Sequence, residues 1–201
     1  MLLRTLLSIP FGLILVSSLV AQPSNTSFLH YTTDQGLSND YITSITKDKL
    51  GFLWVSTANG LNRFDGRSFK SFHYDPKNPN SLPDDNILGI SLGPDGWIWI
   101  GTTGGLCKLN PTSLEIRRLP IPENSDSLQN DEMTQVAFDS KGKAWTTGDH
   151  GIYRFDPKTD RLEYFYPTPG KTPGWHGMLI DPLDRLWLIK DSLVRFDPAN
   201  Q

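Results

Sequence analysis

A segment of about 45 residues occurs four times along this chain, each time around a tryptophan. The four residues, Trp54, Trp99, Trp145 and Trp187, are separated by 45, 46 and 42 positions. The clearest copy, 51–65, reads as a glycine turn, a strand with the tryptophan, a second glycine turn and a strand that ends in aspartate. Repeats of this length form supersecondary units that need neighbouring units to cover their apolar faces. We therefore expect a series of similar modules.

Each full copy contains four short strand patterns. In the first copy, 41–47 and 52–57 are rich in β-branched and aromatic side chains, and Asn59-Gly60 is a strong hairpin signal. Residues 68–74 alternate as a half-buried strand does. Four antiparallel strands in about 45 residues are typical of one blade of a β-propeller. The hairpin glycine recurs as Gly60, Gly105 and Gly151.

The fold predicted is an all-β propeller with three full blades and a partial fourth, in an incomplete ring. The fourth copy is shorter: Asp184 replaces the glycine before its tryptophan strand, and its last strand is missing. The alternative is a small closed four-blade ring, in which Leu29–Thr33 supplies that strand. The predicted blades span about 39–74, 86–119, 127–165 and 174–201.

Residues 1–21 differ from the rest of the chain. Arg4 is their only charged side chain, and a mostly apolar stretch leads to a cleavage point at Ala21-Gln22. This pattern predicts a secretory signal peptide followed by a propeller region, 22–201. An uncleaved anchor helix is the alternative, but the unbroken apolar part is shorter than the ~20 residues that span a bilayer.

The charge and the cysteine content of the chain argue against two kinds of function, nucleic-acid binding and disulfide or thiol chemistry. The formal net charge is −3, with lysine and arginine spread along the chain, so we expect no nucleic-acid partner in this region. The single cysteine, Cys107, cannot form a disulfide within the chain, and we interpret it as a small strand residue. We expect no metal, no cofactor and no catalytic residue.

Two further sets of polar residues recur with the blades. One follows the third strand, where Asx turns are expected. The other is basic, and we expect it to pair with neighbouring acids or to face solvent. The first set is Asp65, Asn110, Asp156 and Asp197. The second set is Arg63, Lys108, Arg154 and Arg195.

Residues that depart from the repeat are the candidates for ligand binding. The four repeated tryptophans occupy one slot in apolar strands, which favours core packing. Trp97 and Trp175 lie outside that slot and are predicted to bind a ligand. His150 and His176 fall in loops of adjacent blades and could meet near one rim.

The motifs resemble one family. Gly36-Leu37-Ser38-Asn39, then Asp48-x-x-Gly51-x-Leu53-Trp54, then Gly60-Leu61-Asn62-Arg63-Phe64-Asp65 resemble the two-component regulator propeller repeat. The next two copies match nearly as well, and the resemblance covers about residues 29–200.

The resemblance implies the N-terminal part of the periplasmic sensor region of a hybrid histidine kinase. It implies export to the periplasm, an oligosaccharide ligand, inner-membrane tethering through the remainder of a longer sensor protein, and a homodimer of the full-length form. Kinase activity would belong to that C-terminal remainder. Two other functions stay open: a propeller that binds proteins as a scaffold, and an enzyme similar to streptogramin lyases that uses His150 or His176.

Overall fold

The computed structural model describes residues 28–120, 132–149, 151–167, 175 and 177–199. The chain divides into a short unit, Met1–His30, and a compact unit, Tyr31–Gln201. Residues 28–30, the described part of the short unit, have no regular secondary structure. The predicted signal peptide lies outside the described residues. Within the described ranges, no helix has the length and apolar character that a membrane span requires.

The first two blades are four-stranded antiparallel sheets in which each strand pairs with the next along the chain. This order follows from the short turns, which join neighbouring strands directly. Blade 1 contains β1 (Ile42–Lys47), β2 (Leu53–Thr57), β3 (Gly60–Phe64) and β4 (Phe69–Phe72), and blade 2 contains β5 (Ile87–Leu92), β6 (Ile98–Thr102), β7 (Gly105–Leu109) and β8 (Ile116–Arg118).

Blade 3 repeats this order, and blade 4 has three strands among the residues described. The predicted all-β architecture of four-stranded blades is thus confirmed. Blade 3 contains β9 (Ala137–Phe138), β10 (Ala144–Gly148), β11 (Gly151–Asp156) and β12 (Arg161–Pro167), and blade 4 contains β13 (Gly177–Ile180), β14 (Leu186–Ile189) and β15 (Leu193–Phe196).

The segment Leu29–Thr33, considered as a strand that could close the ring, is not a strand. A 3-10 turn, Thr33–Gln35, begins at its end. Thr32 and Gln35 form a capping box around this turn, and Gly36 ends it with a φ of 102°. These local hydrogen bonds engage the backbone of Thr32 and of the residues after it, so the end of the segment turns instead of extending along a neighbouring strand.

The hydrophobic core consists of three clusters, each between two successive blades. Trp54 joins a cluster with blade 2, Trp99 joins one with blade 3, and Trp145 joins one with blade 4. All three tryptophans are buried, as predicted, whereas Trp187 is half-buried. Each tryptophan therefore packs toward the blade that follows it, and blade 4 has no described follower.

The two end blades carry exposed apolar side chains. On blade 4, Leu179 is 56% and Leu193 is 66% exposed, and on blade 1, Ile45 is 62% exposed. The face of blade 1 is partly covered by the preceding segment, because Tyr31 packs edge-on against Phe64 at a centroid distance of 5.0 Å. The exposure agrees with the predicted open arrangement.

Candidate functional site

The repeated tryptophan of each blade is held by a hydrogen bond from its indole to an aspartate. In three blades this aspartate lies six residues earlier, at the turn between the first two strands. Trp54 Nε1 donates to Asp48 Oδ2 at 2.7 Å, and Trp187 Nε1 donates to Asp181 Oδ2 at 2.9 Å. Trp145 makes the same bond to Asp139 at 3.1 Å. The bond lets a large aromatic ring enter the core with its only polar atom satisfied.

The other carboxylate oxygen of the same aspartate organises the turn. Asp48 Oδ1 accepts from the backbone N–H groups of Leu50 and Phe52 at 2.9 and 3.0 Å. In the sequence Asp48 stood out only as part of the repeat motif, so its bond to the indole was missed. The signal was present as the spacing Asp-x-x-x-x-x-Trp, which recurs in three of the four copies.

In blade 2 a different residue accepts the hydrogen bond from the indole. Gly93 occupies the aspartate position, and Asp95 accepts from Trp99 Nε1 instead, at 3.4 Å. A side chain at Gly93 would overlap the Asp95 carboxylate. This turn therefore has no room for an aspartate at position 93 while Asp95 holds the indole.

In the first three blades the recurring basic residue lies over the tryptophan ring. Because Trp54 pairs with Arg63 across β2 and β3, the guanidinium lies 5.9 Å from the Trp54 ring and 4.5 Å from the Phe52 ring. Arg154 lies 5.6 Å from the Trp145 ring and donates to Glu163 at 3.0 Å. The sequence predicted that these residues pair with acids or face solvent; Arg154 shows the acid pairing, and cation–π contact is added to it.

Lys108 is the most enclosed member of this set. Its side chain is 10% exposed, and its ammonium lies between 4.8 and 5.4 Å from the rings of Trp97, Trp99 and Phe155. It also donates to Asp160 of blade 3 at 3.4 Å. The charge is therefore compensated by aromatic faces and one carboxylate, and it links two blades.

The predicted Asx turns after the third strands are confirmed in all four blades. Asp65 Oδ1, for example, accepts from the backbone N–H groups of Arg67 and Ser68, both at 2.8 Å. Equivalent bonds are made by Asn110, Asp156 and Asp197. These residues are engaged in turn formation, and no group of three or more metal-ligating side chains occurs in the described ranges.

Trp97, a predicted ligand-binding residue, lies beside the turn between β5 and β6. Its ring is half-buried against the core, with the Lys108 and Arg117 cations 5.4 and 5.2 Å from its centre. Trp97 also borders a depression of about 230 Å³ between blades 1 and 2, to which Asp48 and Asn110 contribute. Its proposed role in binding stays a prediction.

Trp175, the second candidate, lies just before β13. It packs against the core between blades 3 and 4, and Lys190 Nζ is 5.7 Å from its ring. Its buried Nε1 has no hydrogen-bond partner in the structure. The start of a first strand and the start of a second strand are at opposite ends of an antiparallel blade. Trp175 and Trp97 therefore lie on opposite rims and do not share one site.

The remaining predicted site residues, His150 and His176, lie outside the described residues. Cys107 is fully buried in the core between blades 1 and 2, and this burial raises the pKa of its thiol well above the usual value. The interpretation as a packed strand residue rather than a reactive thiol agrees with that environment.

Asp184 links blades 3 and 4 in a way that the sequence did not indicate. It adopts a φ of 60° at the position that glycine occupies in the other three blades. Ser140 of blade 3 donates to its carboxylate through its backbone N–H at 2.7 Å and its hydroxyl at 2.6 Å. The left-handed conformation, which aspartate tolerates better than most residues, thus supports a contact between blades.

This link is expected to weaken in acid. The hydrogen bonds from Ser140 lower the pKa of Asp184 below its usual value. A carboxyl with a lowered folded pKa contributes stability above its unfolded pKa, about 3.9, and loses it as the pH falls through the folded value. Asp184→Asn should therefore lower the melting temperature at neutral pH, and the difference from the unsubstituted chain should shrink as the pH falls from about 3.9 through the lowered pKa of Asp184.

Melting curves of both proteins across this pH range check the prediction. Asp191→Asn is the matched control, because Asp191 is exposed and its side chain forms no hydrogen bond or ion pair among the residues described. An Asp184→Asn effect that stayed constant with pH would show that the charge of Asp184 is not involved.

The repeat matches a known family model. Residues 36–59 and 81–104 match the model of the two component regulator propeller, and these ranges cover the first and second tryptophan strands with their preceding turns. Two segments of this chain thus match the two component regulator propeller repeat. The turns at Asp48 and Gly93 and the buried Trp54 and Trp99 described above lie within the two matched segments.

A sequence relative and two solved structures extend this result. Histidine kinase P4 of Formosa agariphila is 43% identical over 76 residues, which are 36% of this chain and 6% of that protein. The extracellular domains of two candidate hybrid two component systems of B. thetaiotaomicron, BT3049 and BT4673, have TM-scores of 0.70 and 0.66 at 22% and 20% identity. These matches cover 86% and 81% of this chain but 25% and 21% of the two structures. The structural likeness shows the propeller fold.

Proposed function

We propose that this chain is a ligand-sensing propeller region of a two-component signal transduction protein, located outside the cytoplasm. The observation that carries the proposal is the match of two successive blades to the two component regulator propeller, together with the 43% identity to a histidine kinase. The chain spans a small fraction of that relative, so kinase activity would reside in other parts of a longer protein.

We propose a carbohydrate as the ligand. Binding sites on propellers are assembled from loops of several blades, and the rims of this one carry polar turns interrupted by aromatic side chains. The depression beside Trp97 combines a partly exposed ring with the side chains of Lys49, Asp95 and Asn110. Hydroxyl groups of a sugar suit such donors and acceptors, and its C–H faces suit an aromatic surface.

The first test is binding without turnover. The purified chain should bind at least one member of an oligosaccharide panel in isothermal titration calorimetry, and chromatography of the mixture should return that oligosaccharide unchanged. Cleavage of the sugar would contradict the sensor function and favour an enzyme. Failure of the whole panel, combined with stable capture of a protein partner, would favour a scaffold.

The second test concerns signalling. Deletion of residues 29–199 from the native gene, with the reading frame kept, should abolish the transcriptional response to the oligosaccharide that the chain binds. The matched control is an in-frame exchange of the same residues for the equivalent propeller of a relative, which should change the inducing sugar. An unchanged response after deletion would contradict a sensing role.

A further inference from the structure

Two adjoining depressions lie along one edge of blade 3 and share Lys143 and Arg154. Their volumes are about 270 and 360 Å³, near the lower end of the roughly 300–1,000 Å³ of small-molecule sites. We call the pair the blade 3 groove. One part is open between blades 3 and 4, where Leu183 and Pro198 line it, and the other part reaches Pro157 and Lys158.

Five carboxylates line this groove, and all five are engaged inside the protein. Asp156 and Asp197 each accept from the backbone N–H group two residues later. Asp139 accepts from two turn N–H groups and from the Trp145 indole. Asp184 accepts from Ser140, and Glu163 accepts from Arg154. Each acid is therefore already supplied with donors, which reduces its capacity to bind a cation from solution.

The cations are compensated unequally. Arg154 pairs with Glu163, and Lys141 lies close enough to Asp184 to contribute to lowering the pKa of that carboxyl. By contrast, Lys143 and Lys158 are exposed, and within the part of the chain that the structure describes they form no ion pair or side-chain hydrogen bond. Their two ammonium groups are the donors that the groove offers to a ligand.

Apolar surface lies beside these ammonium groups. Phe165 is half-buried under Arg154, whose guanidinium is 4.9 Å from the centre of its ring. Leu183 is 70% exposed at the opposite side of the opening, and Pro157 and Pro198 border the two ends. The groove thus combines apolar patches, the two ammonium groups and carboxylates that already accept hydrogen bonds within the protein. A sugar ring has C–H faces that pack on such patches, and a carboxylate on the sugar would be attracted by the ammonium groups.

We propose that the blade 3 groove binds a saccharide that carries carboxylate groups, with Lys143 and Lys158 as the residues that select its charge. This inference rests on the proposed function, because it names the class of carbohydrate and its place on the propeller. The site belongs to the rim formed by the turns between the first and second strands, which is the rim of Trp97 and not that of Trp175.

The experiment compares charged and neutral forms of one sugar. Isothermal titration calorimetry of the chain is performed with uronate trisaccharides from galacturonan and alginate, with their methyl esters, and with inorganic sulfate. The uronates should bind, and the esters should bind at least about tenfold more weakly, which is the change that about 1.4 kcal/mol produces. Raising the salt concentration should weaken uronate binding, because exposed charges are screened.

The variant Lys143→Gln/Lys158→Gln should lose at least about tenfold in uronate affinity. The control variant Lys47→Gln/Lys77→Gln removes two exposed lysines of blade 1 and of the connection after it, and should bind as the unsubstituted chain does. Unchanged circular dichroism and melting temperature of both variants exclude a folding defect.

The other outcomes distinguish this proposal from the proposed function. Equal binding of uronates and esters would overturn the charge selection but keep a carbohydrate sensor. Equal binding of sulfate and uronates would overturn the saccharide site and leave a simple anion site. Binding of uronates that both double variants retain would place the sugar elsewhere on the propeller. No binding of any saccharide would contradict both proposals.

Discussion

Trp54→Ala is expected to lower the free energy of unfolding by about 3–5 kcal/mol, the usual cost of removing a large aromatic side chain from a core. Trp54 is fully buried between blades 1 and 2, next to Leu61 and Ile98. The substitution would leave a cavity there, because two rigid sheets cannot close on the missing ring. It would also leave Asp48, 5% exposed, without the indole donor.

Urea denaturation followed by circular dichroism measures this loss. Trp187→Ala is the matched control, since Trp187 occupies the same position of the repeat and donates to Asp181 at 2.9 Å but is only half-buried. Its substitution should cost clearly less. Equal losses would show that the aspartate bond, and not burial by the following blade, is the source of the stabilisation.

Trp54→Phe separates the two contributions further. Phenylalanine keeps an aromatic ring in the core but has no N–H, so Asp48 Oδ2 would lose its donor at 2.7 Å. A buried polar atom that loses its partner costs about 1–3 kcal/mol. We therefore expect Trp54→Phe to lower the free energy of unfolding, but by less than Trp54→Ala does.

Gly101→Ala is expected to cost about 3 kcal/mol, the upper end of the usual range for overpacking. A methyl group at Gly101 would overlap the backbone carbonyl oxygens of Met133 and Thr134. This backbone cannot retreat freely, because Met133 N donates to Thr102 O at 2.9 Å and Thr134 N donates to Thr147 O at 3.0 Å. The methyl group would therefore force blades 2 and 3 apart.

The same denaturation experiment tests this prediction. Gly177→Ala is the control, because Gly177 also lies in a strand but its nearest neighbour to an added methyl group is Ile189 Cδ1 at 3.7 Å. It should change the free energy of unfolding by no more than about 0.5 kcal/mol, as substitutions without such a clash do. A Gly101→Ala chain as stable as Gly177→Ala would mean that the two blades separate easily.

Periodic features of the sequence predicted most of the fold. The glycine turns, the alternating strands and the Trp54 slot are local signals, and their repetition made each one more certain than it would be alone. The Asx turn at Asp65 was predicted for the same reason, since an Asx turn depends on bonds to residues only two or three positions away. The strand proposed at Leu29–Thr33 was wrong: the segment has no regular structure up to Thr32, where a local capping box begins a 3-10 turn.

Features that depend on distant residues could not be predicted. Gly101 is required by a backbone segment more than 30 residues later, and its sequence context showed only a glycine in a strand. In the sequence, Asp184 was recognised only as a replacement for the glycine of the repeat. In the structure, its carboxylate accepts hydrogen bonds from Ser140, which is 44 residues earlier. The free ammonium groups of the blade 3 groove likewise become visible only when the neighbouring acids have been assigned to their partners.

The sequence by itself determined the blade, its strand order and the residues that face its core, because these depend on alternation and on turns within one repeat. Only the tertiary structure decided which blade faces carry contacts, which aspartate satisfies each indole, and where positive donors remain without a partner. The physical reason is that packing between blades depends on the distance between two sheets, and this distance is set jointly by residues about 45 positions apart. The repeat that identified the fold is thus scaffold, and binding is proposed at positions where its copies differ.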